Sequence, residues 1–280
     1  MRLLTLLRNE LMKMYRQRGT YAGPILLAIF IGLFVWGVWA EGPPFGDAED
    51  RVGDEFAVGG NMVTGPAIPY LLLELPVAIN VFIPLLISMI AGGLVAGEAQ
   101  RGTLRTLLTR PVRRWSLVVA KMIASFIHAA SLVLVLGGVS LLAGYIVFGP
   151  GDIIAVQGGF RVFAEPQALQ RLAIAYGLIM LTMCAVAAIA VFCSTIFEHP
   201  LTASGVTVAF LLVSATLMVI PYFEWLAPYL LTEHFHSYRH VFQKTIEWDK
   251  IQTDMWYVAA YTAAAFLGTL AVFCRRDMTC

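Results

Sequence analysis

The sequence predicts an all-α integral membrane protein with six membrane-spanning helices. Hydrophobic residues make up 59% of the 280 residues and charged residues only 13%, against about 25% charged in soluble domains. Six apolar runs are each long enough to cross the roughly 30 Å hydrocarbon core of a bilayer as a helix. Lys and Arg residues concentrate in alternate connections between these runs, as they do in multi-pass membrane proteins.

The predicted spans are the six near-continuous apolar runs of the chain. A backbone in lipid has to satisfy its own hydrogen bonds, so each run is expected to be helical. The third run is too long for one straight crossing, and we expect it to begin along the surface or to extend past the far face. No internal repeat or segment of soluble-domain size stands out, so residues 1–280 are predicted to form a single domain. The spans are residues 21–40, 76–97, 116–148, 172–197, 201–222 and 256–274.

The amino-terminal segment, residues 1–19, is predicted to form an amphipathic helix in the membrane interface. Leu4, Leu7, Leu11 and Met14 recur at helical spacing, and the basic residues of the segment fall largely on other faces. Such a helix lies along the interface with its apolar stripe in lipid. The alternative is a positively charged flank that only fixes the topology, which would leave the apolar stripe in water.

The distribution of charge predicts that both termini are cytoplasmic. Six spans place the termini and the connections after spans two and four on one side, which holds 13 of the 19 Lys and Arg residues. The same side holds only four of the 18 Asp and Glu residues. Because Lys and Arg are enriched in cytoplasmic loops, this side is predicted to face the cytoplasm, beneath the plasma (inner) membrane. A net charge of only +1 gives no indication of nucleic-acid binding.

The most cationic stretch of the chain, GEAQRGTLRTLLTRPVRRW, connects the second and third spans at residues 97–115. From Glu98 to Thr109 it is rich in helix formers, with one interruption at Gly102, and a proline then ends the helix. We expect a short amphipathic helix on the cytoplasmic face, which could transmit force from a soluble partner into the membrane. Without such a partner, the same pattern would supply positive charge and an interfacial turn. Its apolar face holds three leucines at helical spacing, Leu104, Leu107 and Leu108.

This pattern resembles the cytoplasmic connector of ATP-binding-cassette (ABC) exporter permeases of the type-2 family. The residues that carry the resemblance are Glu98, Gly102-Thr103-Leu104, Leu107-Leu108, Pro111-Val112, Arg114 and Lys121. The amino-terminal helix and the six spans extend the resemblance in layout over nearly the whole chain. In that family the connector is a coupling helix that docks on a cytoplasmic ATPase. The resemblance implies this role for Glu98, Arg101, Gly102, Thr103, Leu104, Arg105, Leu107 and Leu108.

The resemblance also implies the partners of the chain. Residues 1–280 would be the transmembrane permease domain of an exporter in which a pair of permeases, expected to be a homodimer, works with two copies of a cytoplasmic ABC ATPase in the membrane lipid. The chain has no GxxxxGK[ST] loop to cradle nucleotide phosphates, and none of its four lysines follows a glycine. ATP and Mg are therefore expected in the partner subunit. This chain is expected to hold no cofactor and not to be an enzyme.

Several ionisable residues lie within or near the spans. His128, in the third span, is predicted either to line a pathway or to be a buried polar group with its own partner. Lys121, near the cytoplasmic end of that span, is expected to extend its ammonium to the interface. His234, His236 and His240 lie close together, but no cysteine or second ligand group accompanies them, so no metal site is predicted. The aromatic residues and prolines around them predict short external helices between the fifth and sixth spans, a place where the family has re-entrant helices.

Two other classes of function remain open. An integral membrane enzyme would need carboxylates or histidines clustered at the ends of spans, and no GxSxG, HExxH or paired-aspartate motif is present. A channel or a membrane anchor without ATP coupling would not need the apolar face of Leu104, Leu107 and Leu108. Association with a cytoplasmic ATPase therefore discriminates the permease from both alternatives.

Overall fold

A computed structural model describes residues 3–41, 63–102, 114–155, 161–223 and 225–275 of the chain. Over these residues the protein is almost entirely helical, with one short hairpin. Six of its helical segments are long and apolar enough to cross a membrane. The structure therefore confirms the predicted all-α membrane fold with six spans.

The described α-helices are numbered in chain order. They are α1 (Leu3–Arg16), α2 (Arg18–Glu41), α3 (Ala67–Glu74), α4 (Ile83–Ala91), α5 (Gly93–Gln100), α6 (Arg114–Phe148), α7 (Glu165–Ile196), α8 (Pro200–Val219) and α9 (Trp248–Arg275). The second span is composite, because a π-helical turn (Ala78–Phe82) leads into α4 and a break at Gly92 separates α4 from α5. The other five spans are α2, α6, α7, α8 and α9.

The fourth span, α7, is the central helix of the bundle. It packs against α4, α5, α6, α8 and α9. In an apolar stretch of 18 residues of α7, 67% of the residues are buried inside the protein. In the corresponding stretch of α2, only 22% are buried. Large apolar side chains on the outer helices remain open to the surroundings, such as Leu33, Leu134 and Ile146 at 62%, 68% and 83% exposed. So wide an apolar surface is typical of a protein that lies in lipid.

Five of the described helices begin before the apolar runs that predicted them, namely α2, α6, α7, α8 and α9. The third span, α6, is one continuous helix of 35 residues, about 52 Å long at 1.5 Å per residue. It therefore extends well past a hydrocarbon core of about 30 Å. The helices α7 and α9 begin at Glu165 and Trp248, several residues before the predicted starts at 172 and 256. The hydropathy of the sequence does not reveal these additional helical turns, because their side chains are partly polar and precede the apolar run.

The predicted amino-terminal helix is present as α1, which packs against α6 and α2. Its predicted apolar stripe is divided between two environments. Met14 is buried against the bundle, whereas Leu4 is 74% exposed. The row that faces the bundle is Leu6, Glu10 and Met14, spaced four residues apart. A carboxylate thus occupies the middle of the buried face of this helix.

The two ends of the bundle are identified by their contacts. We call the end that holds α1, residues 97–102 and the start of α6 the connector end, and the opposite end the far end. At the far end the short buried helix α3, an element that the sequence did not predict, packs against α6 and the π-helical turn. The Tyr176 hydroxyl of α7 donates a 3.1 Å hydrogen bond to the Pro69 carbonyl oxygen of α3. Backbones approach closely there, because a Cβ added to Gly144 of α6 would lie 2.3 Å from the carbonyl oxygen of Gly65.

The rest of the far end is built from short elements. A hairpin joins Ile153–Ala155 (β1) to Arg161–Phe163 (β2) in antiparallel register. Three 3-10 helices follow α8, at Pro221–Phe223, Ala227–Tyr229 and Glu233–Phe242, where short helices were predicted. The hydroxyl of Tyr238, on the last of them, donates a 2.7 Å hydrogen bond to the Leu73 carbonyl oxygen of α3. These elements therefore form one packed layer over the far end.

The helix that carries Glu98 ends close to the interruption that the sequence indicated at Gly102. α5 ends at Gln100, and Gly102 has a φ of +67°, in the left-handed region that favours glycine. A left-handed residue terminates an α-helix, so no single α-helix runs from Glu98 through Gly102. Residues 103–113, which hold the remainder of the predicted coupling helix, lie outside the described residues.

Candidate functional site

Four charged side chains from three helices meet at the connector end. Glu10 and Lys13 come from α1, Glu98 from the end of α5 and Lys121 from the first turns of α6. We call these four residues the charge cluster. Glu98 and Lys121 flank residues 99–120, which include the whole connector. The cluster therefore joins the amino-terminal helix to both sides of the connector.

Lys121 is the centre of the charge cluster. Its Nζ lies 2.8 Å from Glu98 Oε1 and 3.1 Å from Glu10 Oε2, and it donates a 2.9 Å hydrogen bond to the carbonyl oxygen of Leu94. An ammonium group has three N–H donors, so these contacts can use all of them. Lys121 is only 1% exposed. The expectation that this lysine extends to the interface is therefore wrong, since two carboxylates and a carbonyl satisfy it inside the protein.

Burial makes the pairing of these charges obligatory. Glu98 is 1% exposed and Glu10 7% exposed. Removing an ion from water costs several kcal/mol, and only close countercharges and hydrogen bonds offset that cost. The cluster contains two carboxylates and two ammonium groups, so its formal charge is zero. Lys13 completes the balance by donating a hydrogen bond to Glu98 Oε1 from the surface side, where its own side chain is 38% exposed.

The local sequence explains how each helix presents its charge. Glu10 lies one turn after Leu6 and one turn before Met14, so it faces the bundle together with them. α5 begins anew after the break at Gly92, which leaves amide groups in its first turn to find other partners. The Ser194 hydroxyl oxygen of α7 accepts hydrogen bonds of 2.9 Å from the amides of Val95 and Ala96. This contact fixes α5, and with it Glu98, against the central helix.

The predicted coupling residues fall into three groups. Glu98 is buried within the charge cluster. Arg101 and Gly102 are exposed, and the Arg101 Nε donates a 2.9 Å hydrogen bond to the Gly97 carbonyl oxygen. The other predicted coupling residues lie outside the described residues, and their role stays a prediction. They are Thr103, Leu104, Arg105, Leu107 and Leu108.

His128, the predicted pathway residue, is separate from the charge cluster. It lies two turns beyond Lys121 on α6 and is 1% exposed. Neither of its ring nitrogens has a hydrogen-bond partner within the described ranges. The structure therefore places His128 inside the bundle without a polar neighbour in the described part of the chain, and its assignment to a pathway stays a prediction.

Two of the three far-end histidines are hydrogen-bonded to carboxylates. His234 Nδ1 shares a 2.9 Å hydrogen bond with Asp254 Oδ1, and His240 Nδ1 shares one of 2.9 Å with Glu247 Oε2. Hydrogen bonds from His240 and Lys250 hold the pKa of the exposed Glu247 carboxyl below its ordinary value. Among the described residues, no group of three or more His, Cys, Asp or Glu side chains is arranged to hold a metal ion.

Sequence reasoning missed most of this site. Glu10, Ser194 and the ion pairs of Lys121 were not predicted, because the partners are far apart along the chain, with 111 residues between Lys121 and Glu10. One signal was present in the sequence: Glu10 interrupts the apolar row from Leu6 to Met14. An acid in such a row indicates that a cation faces it.

Comparison with known proteins places the chain in a family. The profile of the ABC-2 family transporter proteins matches residues 4–278. The chain is also 28% identical over 200 residues to a protein of Bacillus subtilis (strain 168) that carries the name "Uncharacterized protein YhcI". That match covers 68% of this chain and 63% of the relative. The family match spans all six membrane-crossing segments as well as the charge cluster. The chain therefore belongs to the ABC-2 family of transporter proteins and is a multi-pass membrane component of a transporter.

Proposed function

We propose that this chain is the permease subunit of an exporter whose ATP is hydrolysed by a separate cytoplasmic ATPase. The observation that carries the proposal is the charge cluster, in which Lys121 pairs with Glu98 across the connector and with Glu10 of α1. Nothing in the lipid-facing surface of the protein requires such a buried set of ions. A connector that receives force from a partner does require fixed attachment at both ends.

The geometry supports a specific path for that force. The connector follows α5, which ends two residues after Glu98, and leads into α6, whose second turn ends at Lys121. The two residues are joined by an ion pair of 2.8 Å. A displacement of the connector therefore moves the end of the second span and the start of the third together, with α1 attached through Glu10. Ser194 ties α5 to the central helix, so movement also reaches α7.

This proposal assigns Glu98 a different task from the exposed connector residues. A carboxylate that is 1% exposed offers almost no surface to a soluble partner. We propose that Glu98 holds the connector in place and that Arg101 and the leucine face Leu104, Leu107 and Leu108 contact the ATPase. The remaining coupling residues implied by the family resemblance keep their proposed docking role.

Orientation and assembly form part of the same proposal. The connector end would be cytoplasmic, because it belongs to the side that holds 13 of the 19 Lys and Arg residues. Two permease copies, as a homodimer, would work with two ATPase subunits in the plasma membrane. ATP and Mg would be bound by the ATPase. His128 is the proposed polar residue of the translocation pathway, and an amphiphilic substrate is proposed because charged side chains are rare in the spans.

The docking assignment is tested by co-purification with a candidate cytoplasmic ABC ATPase of the same organism. The double variant Leu104→Asp, Leu107→Asp is expected to lose the ATPase while the permease stays folded. Thr106→Asp is the matched control, because on a helix of 3.6 residues per turn Thr106 lies on the side opposite the leucines. Normal retention of the ATPase by the double variant would contradict the docking assignment.

The role of the charge cluster requires a second experiment. Glu98→Gln is expected to retain the ATPase but to remove the ion pairs by which α5 is attached to Lys13 of α1 and to Lys121. Hydrogen exchange of residues 3–16 is then measured with and without ATP in the assembled complex. The wild type is expected to show an ATP-dependent change in α1, and Glu98→Gln to show none. An unchanged ATP response in Glu98→Gln would exclude the charge cluster from the coupling path.

A further inference from the structure

A cleft of about 190 Å³ lies beside the charge cluster, between α1, the second span and the start of α8. Its two ends differ in chemistry. The end nearest the connector is lined by polar side chains, including Lys13, Gln17 and Arg101, and the other end by apolar ones, including Met89 and Ile90. A cleft with one charged end and one apolar end matches a molecule with a polar headgroup and a hydrocarbon chain.

The polar end carries hydrogen-bond donors that have no partner among the described residues. Arg101 is exposed, and within those residues its one hydrogen bond runs from Nε to the Gly97 carbonyl oxygen. Its two terminal nitrogens carry four further N–H groups. Lys13 uses one donor on Glu98 and is 38% exposed, so its other donors can also point into the cleft.

The acids in the cleft wall do not cancel this positive character. Glu10 and Glu98 are both paired with Lys121, which lies behind them. The side chains counted here carry three positive and two negative formal charges in all. They are Glu10, Glu98, Lys13, Arg101 and Lys121. Arg101 is exposed and Lys13 is partly exposed, whereas Lys121 and both carboxylates are buried. A ligand that enters the cleft therefore meets cationic groups first.

The residues of the second span that line the cleft extend from Met89 to Arg101. Met89 is 53% exposed, so the apolar end is open at the surface of the bundle. Arg101 is exposed at the connector end. Gly93 leaves the middle open, because a Cβ added there would first meet Pro200 at 3.9 Å.

We propose that this cleft binds one anionic phospholipid from the leaflet at the connector end. Its phosphate accepts hydrogen bonds from the guanidinium of Arg101 and the ammonium of Lys13, and one acyl chain lies along Met89 and Gly93. Arginine suits this task because its planar fork binds phosphate with two parallel hydrogen bonds. The bound lipid contacts α1 and α5 next to the charge cluster. This proposal does not depend on an ATPase, and it is tested on the permease alone.

Native mass spectrometry of the purified permease, titrated with phosphatidylglycerol or phosphatidylcholine, tests the proposal. Wild-type protein is expected to bind phosphatidylglycerol more tightly than phosphatidylcholine. Arg101→Gln is expected to weaken phosphatidylglycerol binding by about 10-fold or more, as expected when a charge-assisted hydrogen bond is lost. Arg16→Gln is the matched control, because Arg16 is an exposed arginine of α1 that does not line the cleft. It is expected to bind like wild type.

A second variant distinguishes a lipid from a free phosphate ion. Gly93→Leu fills the apolar part of the cleft and leaves Lys13 and Arg101 in place. It is expected to weaken phosphatidylglycerol binding as much as Arg101→Gln does, and millimolar inorganic phosphate is expected not to displace the lipid. Equal binding of the two lipids, equal loss in Arg16→Gln, unchanged lipid binding in Gly93→Leu, or displacement by inorganic phosphate would each overturn the proposal.

Discussion

Lys121 Nζ lies 2.8 Å from Glu98 Oε1, so the side chains on the two sides of the connector form one ion pair. Each residue is 1% exposed. The ion pair therefore joins residues 98 and 121 where the connector is attached to the bundle. In a chain whose spans contain few charges, this concentration of buried ions distinguishes the connector end from the rest of the bundle.

Lys121→Met is expected to lower the free energy of unfolding by about 3–5 kcal/mol. The variant removes the ammonium group that pairs with Glu10 and one of the two ammonium groups that pair with Glu98, and breaking a buried ion pair from one side is costly. Lys250→Met is the matched control, because Lys250 pairs with Glu247 at the surface and is 62% exposed. It is expected to cost no more than about 1 kcal/mol. Thermal unfolding in detergent compares the two, and equal losses would show that the buried cluster adds no stability.

Gly144→Ala and Gly138→Ala are expected to have opposite effects, although both glycines lie in α6. A Cβ at position 144 would meet the Gly65 carbonyl oxygen at 2.3 Å, whereas nothing lies within 4 Å of one at position 138. We expect Gly144→Ala to destabilise the protein by about 1–3 kcal/mol, because backbone has to shift. Gly138→Ala is expected to stabilise it by up to about 1 kcal/mol, since alanine favours a helix over glycine. Melting temperatures of the two variants give the test, and loss of stability in both would contradict it.

Acidification is expected to destabilise the far end through His236. Burial, and secondarily the charge of Arg239, lowers the pKa of His236 from 6.5 to about 4. The unfolded state therefore binds more protons than the folded state between these values. The stabilising contribution is fully present above pH 6.5 and is lost as the pH falls toward 4. The slope contributed by one such group does not exceed about 1.4 kcal/mol per pH unit.

The test compares unfolding of wild type and His236→Gln across that pH window. The variant is expected to lose the part of the pH slope that belongs to this imidazole. His199→Gln, which replaces an exposed histidine between α7 and α8, is the control and is expected to keep the wild-type slope. An identical slope in wild type and His236→Gln would show that His236 does not titrate in this window.

Asp254→Asn is expected to loosen the 3-10 helix Glu233–Phe242 from α9. Asp254 is 2.9 Å from the His234 ring and 3.8 Å from the His240 ring, so one carboxylate holds two points of that segment. Exchange of its backbone amides is expected to accelerate about fivefold, equivalent to roughly 1 kcal/mol. Asp249→Asn, at an exposed position of α9, serves as the control. Equal exchange in the two variants would argue against the role of Asp254.

The spans could be predicted from the sequence because their outer surfaces depend on lipid rather than on particular neighbours. Leu134 and Ile146 are apolar and exposed, and their pattern needs no tertiary information. The short helix α3 was missed because its eight residues are too few to form a span. Its burial comes instead from the close approach of Gly65 and Gly144, which lie far apart in the sequence.

The charge cluster could not be predicted for a related reason. Physical rules for a lysine near the end of a span favour an ammonium that reaches the interface. That expectation fails for Lys121, because Glu10 and Glu98 approach it from two other helices. The register of α1 decides which of its residues face the bundle, and only the packed structure shows that register. The leucine face of the connector, by contrast, is visible in the sequence alone and lies outside the described residues.

The ion pair between Glu98 and Lys121 has a thermodynamic consequence for association. A segment whose two attachment points are pinned explores fewer arrangements than a free chain of the same length. The ends of α5 and α6 are therefore already held together before any partner binds. A partner that docks between them, as proposed above, would not have to bring the two helix ends together, and such pre-organisation favours tighter binding.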